Sequence, residues 1–212
     1  GDVYKRQEAF LAIAEALDQV YQERLETMGD VPRGRDMSCT THLCVIDSQG
    51  SMVSLTQTLL SIFGSKLVLP QTGILMNNGL MWFNPEPGHP NSLAPDKRCL
   101  ANTCPVIGLN DSGGMALGAS GGRRIMPAVL QLLYLLIDGE MSLEEAFHQP
   151  RIDHSGGDQV VVDRRLQKEV LQKIEEKFSC ITAENGAFPL YFACPSAVLK
   201  NGNKHFGSTA IT

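Results

Sequence analysis

The feature that most limits the fold of this chain is an apolar run over residues 126–137, which is broken only by Gln131. A helix that is apolar on all sides has to be covered by other parts of the protein. The run is too short to cross a bilayer, which takes about 20 apolar residues. It therefore predicts a helix buried in the core of a layered domain, and it excludes a membrane span in this segment.

Short apolar segments separated by turn residues lie on both sides of this run and predict β-hairpins. These segments are 43–46 with 52–56, 67–69 with 73–76, 106–109 with 115–119, and 197–199 with 205–206, and a further strand is predicted over 160–162. Helices are predicted over residues 8–28 and 166–178, and one starts at the capping-box pattern of Ser142 and Glu145. Hairpins combined with helices imply antiparallel sheet packed against helices, which is an α+β layered fold.

Composition and charge narrow the class of protein further. The chain has 212 residues, of which 43% are hydrophobic and 19% charged, so it has enough apolar residues for a core. Its formal net charge is −5, and the sequence contains no basic block or basic helix. Nucleic acid and anionic membrane surfaces are therefore not expected as partners.

The cysteines and histidines do not form a recognisable metal motif. Six cysteines are spread along the chain without a Cys-x-x-Cys pair or zinc spacing to a histidine, and His148 and His154 are the only histidines close in sequence. No metal and no cofactor is expected. The even cysteine count leaves disulfides open, but a chain with its own core does not need them, so buried reduced thiols are favoured.

Two segments carry candidate chemistry. Thr40-Thr41-His42 stands between a linker-like stretch, residues 29–38, and a predicted strand. The simpler interpretation of these paired threonines is the start of the strand, where β-branched residues are favoured. Gly121-Gly122 stands between a strand and the apolar helix, where backbone N–H groups can bind an anionic atom. The simpler interpretation of these glycines is a tight turn.

Several motifs occur together in an order that is specific to one family. They are Thr40-Thr41-His42, Thr56-Gln57-Thr58, Phe63-Gly64, the stretch 73–78, Lys97-Arg98, Cys104-Pro105, Gly121-Gly122, Val129-Leu130-Gln131 and Pro150-Arg151. From about residue 36 to about residue 200 the chain resembles the small subunit of γ-glutamyltranspeptidases. The resemblance implies the N-terminal-nucleophile hydrolase fold, a four-layer αββα sandwich. It also implies a precursor that cleaves itself before Thr40, which then becomes the nucleophile, with Thr58 as its hydrogen-bond partner and Gly121-Gly122 as the oxyanion hole.

The resemblance also divides the chain. Residues 40–212 correspond to the small subunit and residues 8–39 to the end of the large subunit with its helix and linker. Residues 2–7 match the translation of a transposon-end adapter from sequencing libraries, so residues 1–7 are predicted to be a scar. The chain is thus expected to be a fragment of a longer precursor, with the large-subunit portion as its partner and its compartment left open.

Some positions depart from the glutathione-cleaving members of the family. Where those members recognise the donor's amine with polar side chains, this chain has Leu60, Gly79 and Trp82. The serine pair that binds the donor carboxylate is replaced by Ala101-Asn102. An Asn amide can still donate hydrogen bonds, so Asn102 is predicted to bind substrate.

The leading hypothesis is therefore an autoprocessed threonine hydrolase or acyltransferase. It would cleave γ-glutamyl or related small-molecule amide bonds through an acyl-Thr40 intermediate. One alternative is an acylase of the same fold, similar to cephalosporin acylases, whose acyl group need not carry an α-amine. The other is a non-catalytic relative kept as a structural subunit.

Overall fold

The computed structural model describes residues 2–28, 39–185 and 191–210, so the predicted linker over residues 29–38 lies outside the described part. The α-helices in that part are α1 (Asp2–Thr27), α2 (Ile125–Ile137), α3 (Leu143–His148) and α4 (Lys168–Glu175). The strands are β1 (Thr40–Ile46), β2 (Met52–Thr58), β3 (Val106–Asn110), β4 (Gly113–Ser120), β5 (Ile152–Asp153), β6 (Gln159–Asp163), β7 (Ser179–Ala183), β8 (Cys194–Asn201) and β9 (Lys204–Thr209).

Two antiparallel sheets face each other at the centre of the molecule. One has the strand order β3-β4-β8-β9 and the other is the β1-β2 hairpin. The Ser54 hydroxyl on β2 donates to the Leu117 carbonyl on β4 across 2.9 Å, which ties the two sheets. The two sheets also approach each other closely at this point, since a Cβ atom at Gly118 on β4 would lie 2.2 Å from the ring of His42 on β1.

The apolar helix α2 covers the opposite face of the larger sheet. Leu117 and Ala119 of β4 form one buried cluster with Val129 and Leu132 of α2. Strand β4 is consequently buried on both faces, by α2 on one and by the β1-β2 hairpin on the other. This explains why its sequence combines small residues with apolar ones rather than alternating apolar and polar.

A third sheet, with the order β5-β6-β7, is packed against α1 and α4. Gln131 of α2, which interrupts the apolar run, joins helix α2 to this third sheet. Its buried amide donates to the Ile152 carbonyl and accepts from the Ile152 N–H, at 2.7 Å and 2.8 Å, and so satisfies both its oxygen and its nitrogen.

Comparison with the sequence-based expectations confirms the hairpins β1-β2, β3-β4 and β8-β9, the buried helix and the capping box at Ser142. The α+β layered fold is also confirmed, and its sheets are mostly antiparallel. The pair β6-β7 is the parallel exception, joined through the crossover helix α4. Residues 67–69 and 73–76 form only one bridge, between Val68 and Leu75, since neither segment is covered by a neighbouring layer.

All six cysteines lie in the part of the chain that the structure describes. Each cysteine is a free thiol, as favoured, but each is half-buried rather than fully buried. In the part of the chain that the structure describes, no cluster of three or more His, Cys, Asp or Glu side chains is arranged to hold a metal ion. None of the helices described there combines the length and the apolar character that crossing a membrane requires.

Candidate active site

The two threonines singled out by the sequence lie opposite each other at one end of the β1-β2 hairpin. The antiparallel register pairs Thr40, the first residue of β1, with Thr58, the last residue of β2. Both side chains fall on the half-buried face of the hairpin, because burial alternates along each strand. The Thr40 hydroxyl donates a hydrogen bond to the Thr58 hydroxyl oxygen at 3.2 Å.

The peptide bond that precedes Thr40 is held by the turn after β2. The Cys39 carbonyl oxygen accepts from the Leu59 N–H at 3.2 Å and from the Thr58 hydroxyl at 3.3 Å. Thr58 in turn accepts from the Leu60 N–H at 2.8 Å. A hydroxyl has one proton and two lone pairs. Thr58 uses all three, so its proton is committed to the carbonyl next to Thr40.

The turn itself is braced by Asn78, the second residue of the Asn-Asn pair. Its side-chain oxygen accepts from the Ser61 N–H at 3.0 Å, and its amide donates to the Ser61 hydroxyl at 2.8 Å. Its backbone N–H donates to the Leu59 carbonyl at 3.2 Å. Leu60 adopts a φ of +69° within this turn, a left-handed conformation that is unusual for leucine. The bracing by Asn78 keeps the Leu59 and Leu60 N–H groups directed at their acceptors.

The glycine pair forms the turn between β4 and α2. Gly121 and Gly122 have φ values of +137° and +62°, which favour glycine at both positions. A Cβ atom at Gly121 would lie 2.8 Å from the Cα atom of Ala193, so this residue also permits a close backbone approach. The short 3-10 helix Gly122–Arg124 then leads into α2.

One cavity brings most of the predicted residues together. It is lined by Thr40, Thr58, Leu60, Trp82, Asn102, Thr103, Gly122 and Ile125. Gly121 adjoins this set through Gly122 but is turned against Ala193, and Gly79 is not part of the lining. Two of the three departures from the glutathione-cleaving pattern, Leu60 and Trp82, therefore lie at the cavity as apolar wall.

Sequence analysis missed the contribution of helix α1. The buried Tyr21 hydroxyl donates to the Arg123 carbonyl in the glycine turn at 2.5 Å, and burial raises the pKa of Tyr21, as does the nearby Asp153 carboxylate. Arg24 donates to the side-chain oxygen of Asn102 and to the Ala101 carbonyl. These partners are far apart in sequence, so no local pattern announces them.

Burial shifts the pKa of three further groups, Asp153, His42 and Cys44. Burial raises the pKa of the Asp153 carboxyl to about 6, and the Ser155 hydroxyl donates to this carboxyl at 2.8 Å. Burial also lowers the pKa of His42 and raises that of the Cys44 thiol, whose sulfur lies 3.0 Å from His42 Nε2. His42 and Cys44 are therefore a neutral pair at pH 7, which argues against a thiolate nucleophile.

Comparison with known proteins agrees with the geometry. The family model described as Gamma-glutamyltranspeptidase matches residues 6–188. The acylase ACY 1 proenzyme of Pseudomonas sp. (strain SE83) is 35% identical, over 68% of this chain and 28% of that protein. The glutathione hydrolase proenzyme of Escherichia coli (strain K12) is 30% identical, over 76% of this chain and 30% of that protein. A mutant of the Helicobacter pylori γ-glutamyltranspeptidase superposes with a TM-score of 0.67 and 26% identity, over 80% of this chain and 97% of that one.

These matches define an N-terminal-nucleophile hydrolase fold, of which the chain contains part of the αββα sandwich. The chain belongs to the γ-glutamyltranspeptidase family. It spans less than a third of the length of the Pseudomonas and Escherichia coli relatives.

Proposed function

We propose that this protein is an autoprocessed amide hydrolase or acyltransferase with Thr40 as its N-terminal nucleophile. The observation that carries the proposal is the chain of hydrogen bonds from Thr40 through Thr58 to the Cys39 carbonyl. These hydrogen bonds place the Thr40 hydroxyl beside the Cys39–Thr40 peptide bond. Family membership supports the assignment, as do relatives that are themselves named proenzymes.

Processing starts with attack of Thr40 Oγ on the Cys39 carbonyl carbon. The Thr40 proton passes to Thr58 while the Thr58 proton moves to the carbonyl oxygen, and the hydrogen bond from the Leu59 N–H polarises this carbonyl during the attack. When the C–N bond breaks, the electron pair and one proton go to the Thr40 nitrogen, which leaves an ester between Cys39 and Thr40. Water then hydrolyses this ester to a Cys39 carboxylate and a free Thr40 hydroxyl.

Cleavage supplies the base for the second reaction. A hydroxyl is a weak nucleophile and needs a base beside it. The new α-amino group of Thr40 has an ordinary pKa of about 8, so about a tenth of it is unprotonated at pH 7 and can accept the hydroxyl proton. Thr40 Oγ then attacks the substrate amide, and the Gly121 and Gly122 N–H groups donate hydrogen bonds to the oxyanion that forms. The amine leaves with a proton, and water or an acceptor amine releases the acyl group from Thr40.

The cavity lining bears on which acyl group is used. Leu60 and Trp82 form an apolar wall, and none of the lining residues carries a charge. An ammonium group buried against such a wall without partners would lose its hydration at high cost. We therefore propose that the site gains nothing from an amine next to the terminal carboxylate, so that a glutaryl group is at least as good a donor as γ-glutamyl. One of the similar proteins, from Pseudomonas, is named an acylase.

The partner that completes the fold is proposed to be the large-subunit portion of the same precursor. The outer face of the β1-β2 hairpin presents Leu43, Val45, Val53 and Leu55, which are 38–52% exposed. In an αββα sandwich a helical layer covers such a face. We accordingly assign residues 8–39 to the end of the large-subunit region and residues 40–212 to the small subunit.

The preference for donors can be measured on the complete, processed protein. We expect kcat/KM for glutaryl and γ-glutamyl p-nitroanilide to differ by less than about 10-fold, with weak turnover of glutathione, because the wall offers the amine no partner. A preference for the γ-glutamyl donor above about 100-fold would contradict this account.

The substitution Leu60→Asn tests whether the apolar wall sets the preference between the two donors. Leu60→Asn places an amide in the wall at a φ of +69°, a conformation that asparagine adopts more readily than leucine. The variant should shift the preference toward the γ-glutamyl donor. If neither donor is turned over by protein that has been cleaved, the non-catalytic alternative is favoured instead.

A further inference from the structure

The loop that carries Asn102 is held by a cation on helix α1. Residues 101–105 form no helix or strand, so side-chain contacts have a large part in setting their position. Nη2 of Arg24 donates to the Asn102 side-chain oxygen and, at 3.3 Å, to the Ala101 carbonyl. Arg24 is itself placed against the buried ring of Tyr21, with 5.9 Å from Cζ to the ring centroid. The guanidinium thus connects α1 to the rim of the cavity.

This contact decides which end of the Asn102 amide meets substrate. A guanidinium has donors and no acceptor, so the end of the amide that faces Arg24 has to be the oxygen. The two N–H donors of Asn102 are then left for other acceptors. Because Asn102 lines the cavity with Thr40, these donors are the polar groups that this loop offers to an acyl chain. A nearby positive charge also strengthens them, since hydrogen bonds in a row polarise one another.

We propose that Arg24 is a positioning residue that makes the acyl pocket specific for a chain ending in a carboxylate. It acts by holding the Asn102 amide with its N–H groups toward the cavity. The inference rests on the proposed function, because it takes the cavity beside Thr40 as the acyl site. None of the described side chains that line this cavity is charged, so the donors that they offer to a carboxylate are neutral, and Arg24 supplies a positive charge behind the Asn102 amide.

The placement of Arg24 upstream of Thr40 gives the proposal a structural consequence. After cleavage before Thr40, Arg24 and Asn102 belong to different fragments. Tyr21 reaches the glycine turn from the same helix through its bond to the Arg123 carbonyl. Helix α1 therefore contacts both the acyl-binding loop and the turn proposed as oxyanion hole.

The test compares two donors on the complete, processed protein. One is glutaryl p-nitroanilide and the other is its pentanoyl counterpart, in which a methyl group replaces the carboxylate. In Arg24→Met we expect kcat/KM for the glutaryl donor to fall about 10- to 100-fold, mainly through KM, and kcat/KM for the pentanoyl donor to change less than about 3-fold. Lys168→Met, which removes an exposed positive charge on α4, is the control and should change neither value.

A double-mutant cycle separates action through Asn102 from other roles. Asn102→Ala should show the same selective loss as Arg24→Met, and adding Arg24→Met to Asn102→Ala should cause no further loss. An equal loss for both donors would indicate a merely structural role and overturn the proposal. So would a full additional loss in the double variant, which would place Arg24 in direct contact with the carboxylate.

Binding of free glutarate and pentanoate, followed by calorimetry, keeps this test independent of catalysis. Wild type should bind glutarate more tightly than pentanoate, and Arg24→Met should lose that difference. If wild type turns over neither anilide but shows this pattern, the proposed function fails while the assignment of Arg24 stands. If Arg24→Met binds glutarate as wild type does, the assignment of Arg24 is wrong even where turnover is normal.

Discussion

Replacement of Thr40 by alanine is expected to abolish turnover of every amide donor, with a loss of about 10⁴-fold or more. The substitution removes the hydroxyl that attacks the substrate, and it also removes the donor to Thr58, so the precursor would not be cleaved and the α-amine would not form. Thr40→Ser keeps a hydroxyl and should retain both reactions at a reduced rate. The measurement is kcat/KM for glutaryl p-nitroanilide together with the extent of cleavage.

Thr41→Ala is the matched control for this prediction. Thr41 is the next residue of β1, and its side chain is exposed on the outer face of the hairpin. The same substitution there should leave both cleavage and turnover near the wild-type level. Turnover by Thr40→Ala within a factor of about 10 of wild type would show that another group is the nucleophile.

Gly122→Val is expected to lower turnover by about 100-fold or more while the protein still folds. A β-branched residue is strained at the φ of +62° that Gly122 adopts, so the backbone has to rotate and its N–H leaves the position proposed for the oxyanion. Loss of one oxyanion donor costs about 10²- to 10³-fold in kcat. The valine side chain would also enter the cavity that Gly122 lines.

Gly202→Val isolates the effect of backbone strain. Gly202 has a φ of +58° in the β8-β9 turn, and no atom lies within 4 Å of the position its Cβ would take. Gly202→Val should lower the free energy of unfolding, measured in urea, by about as much as Gly122→Val does, but it should keep wild-type turnover. If Gly122→Val loses no more activity than Gly202→Val, the oxyanion hole is elsewhere.

Local sequence patterns predicted the elements whose cause is local. The hairpins follow from turn residues between apolar segments, helix α2 from an apolar run broken only by Gln131, and the start of α3 from Ser142 and Glu145. Strands β5 and β7 were not predicted. β5 is only two residues long, and β7 becomes a strand by pairing in parallel with β6 across the helix α4.

The site residues also divide into those that the sequence predicted and those that only the fold reveals. The motif order pointed to Thr40, Thr58 and Gly122, and the amide at a position that departs from the family pattern pointed to Asn102. The fold brings these four residues to one cavity. The roles of Tyr21 and Arg24 depend on contacts with residues about a hundred positions away in one case and nearly eighty in the other. Such contacts arise when α1 packs beside the loops of the site, and no periodicity or spacing within α1 encodes them.

The most direct test of the account is the N-terminal sequence and intact mass of the products after the complete protein has been incubated at neutral pH. The account predicts cleavage of the Cys39–Thr40 bond, giving a fragment that begins Thr-Thr-His-Leu in wild type and Thr-Ala-His-Leu in Thr41→Ala, and no cleavage in Thr40→Ala. A wild-type protein that stays intact, a new N-terminus at another residue, or cleavage of Thr40→Ala at this bond would contradict it.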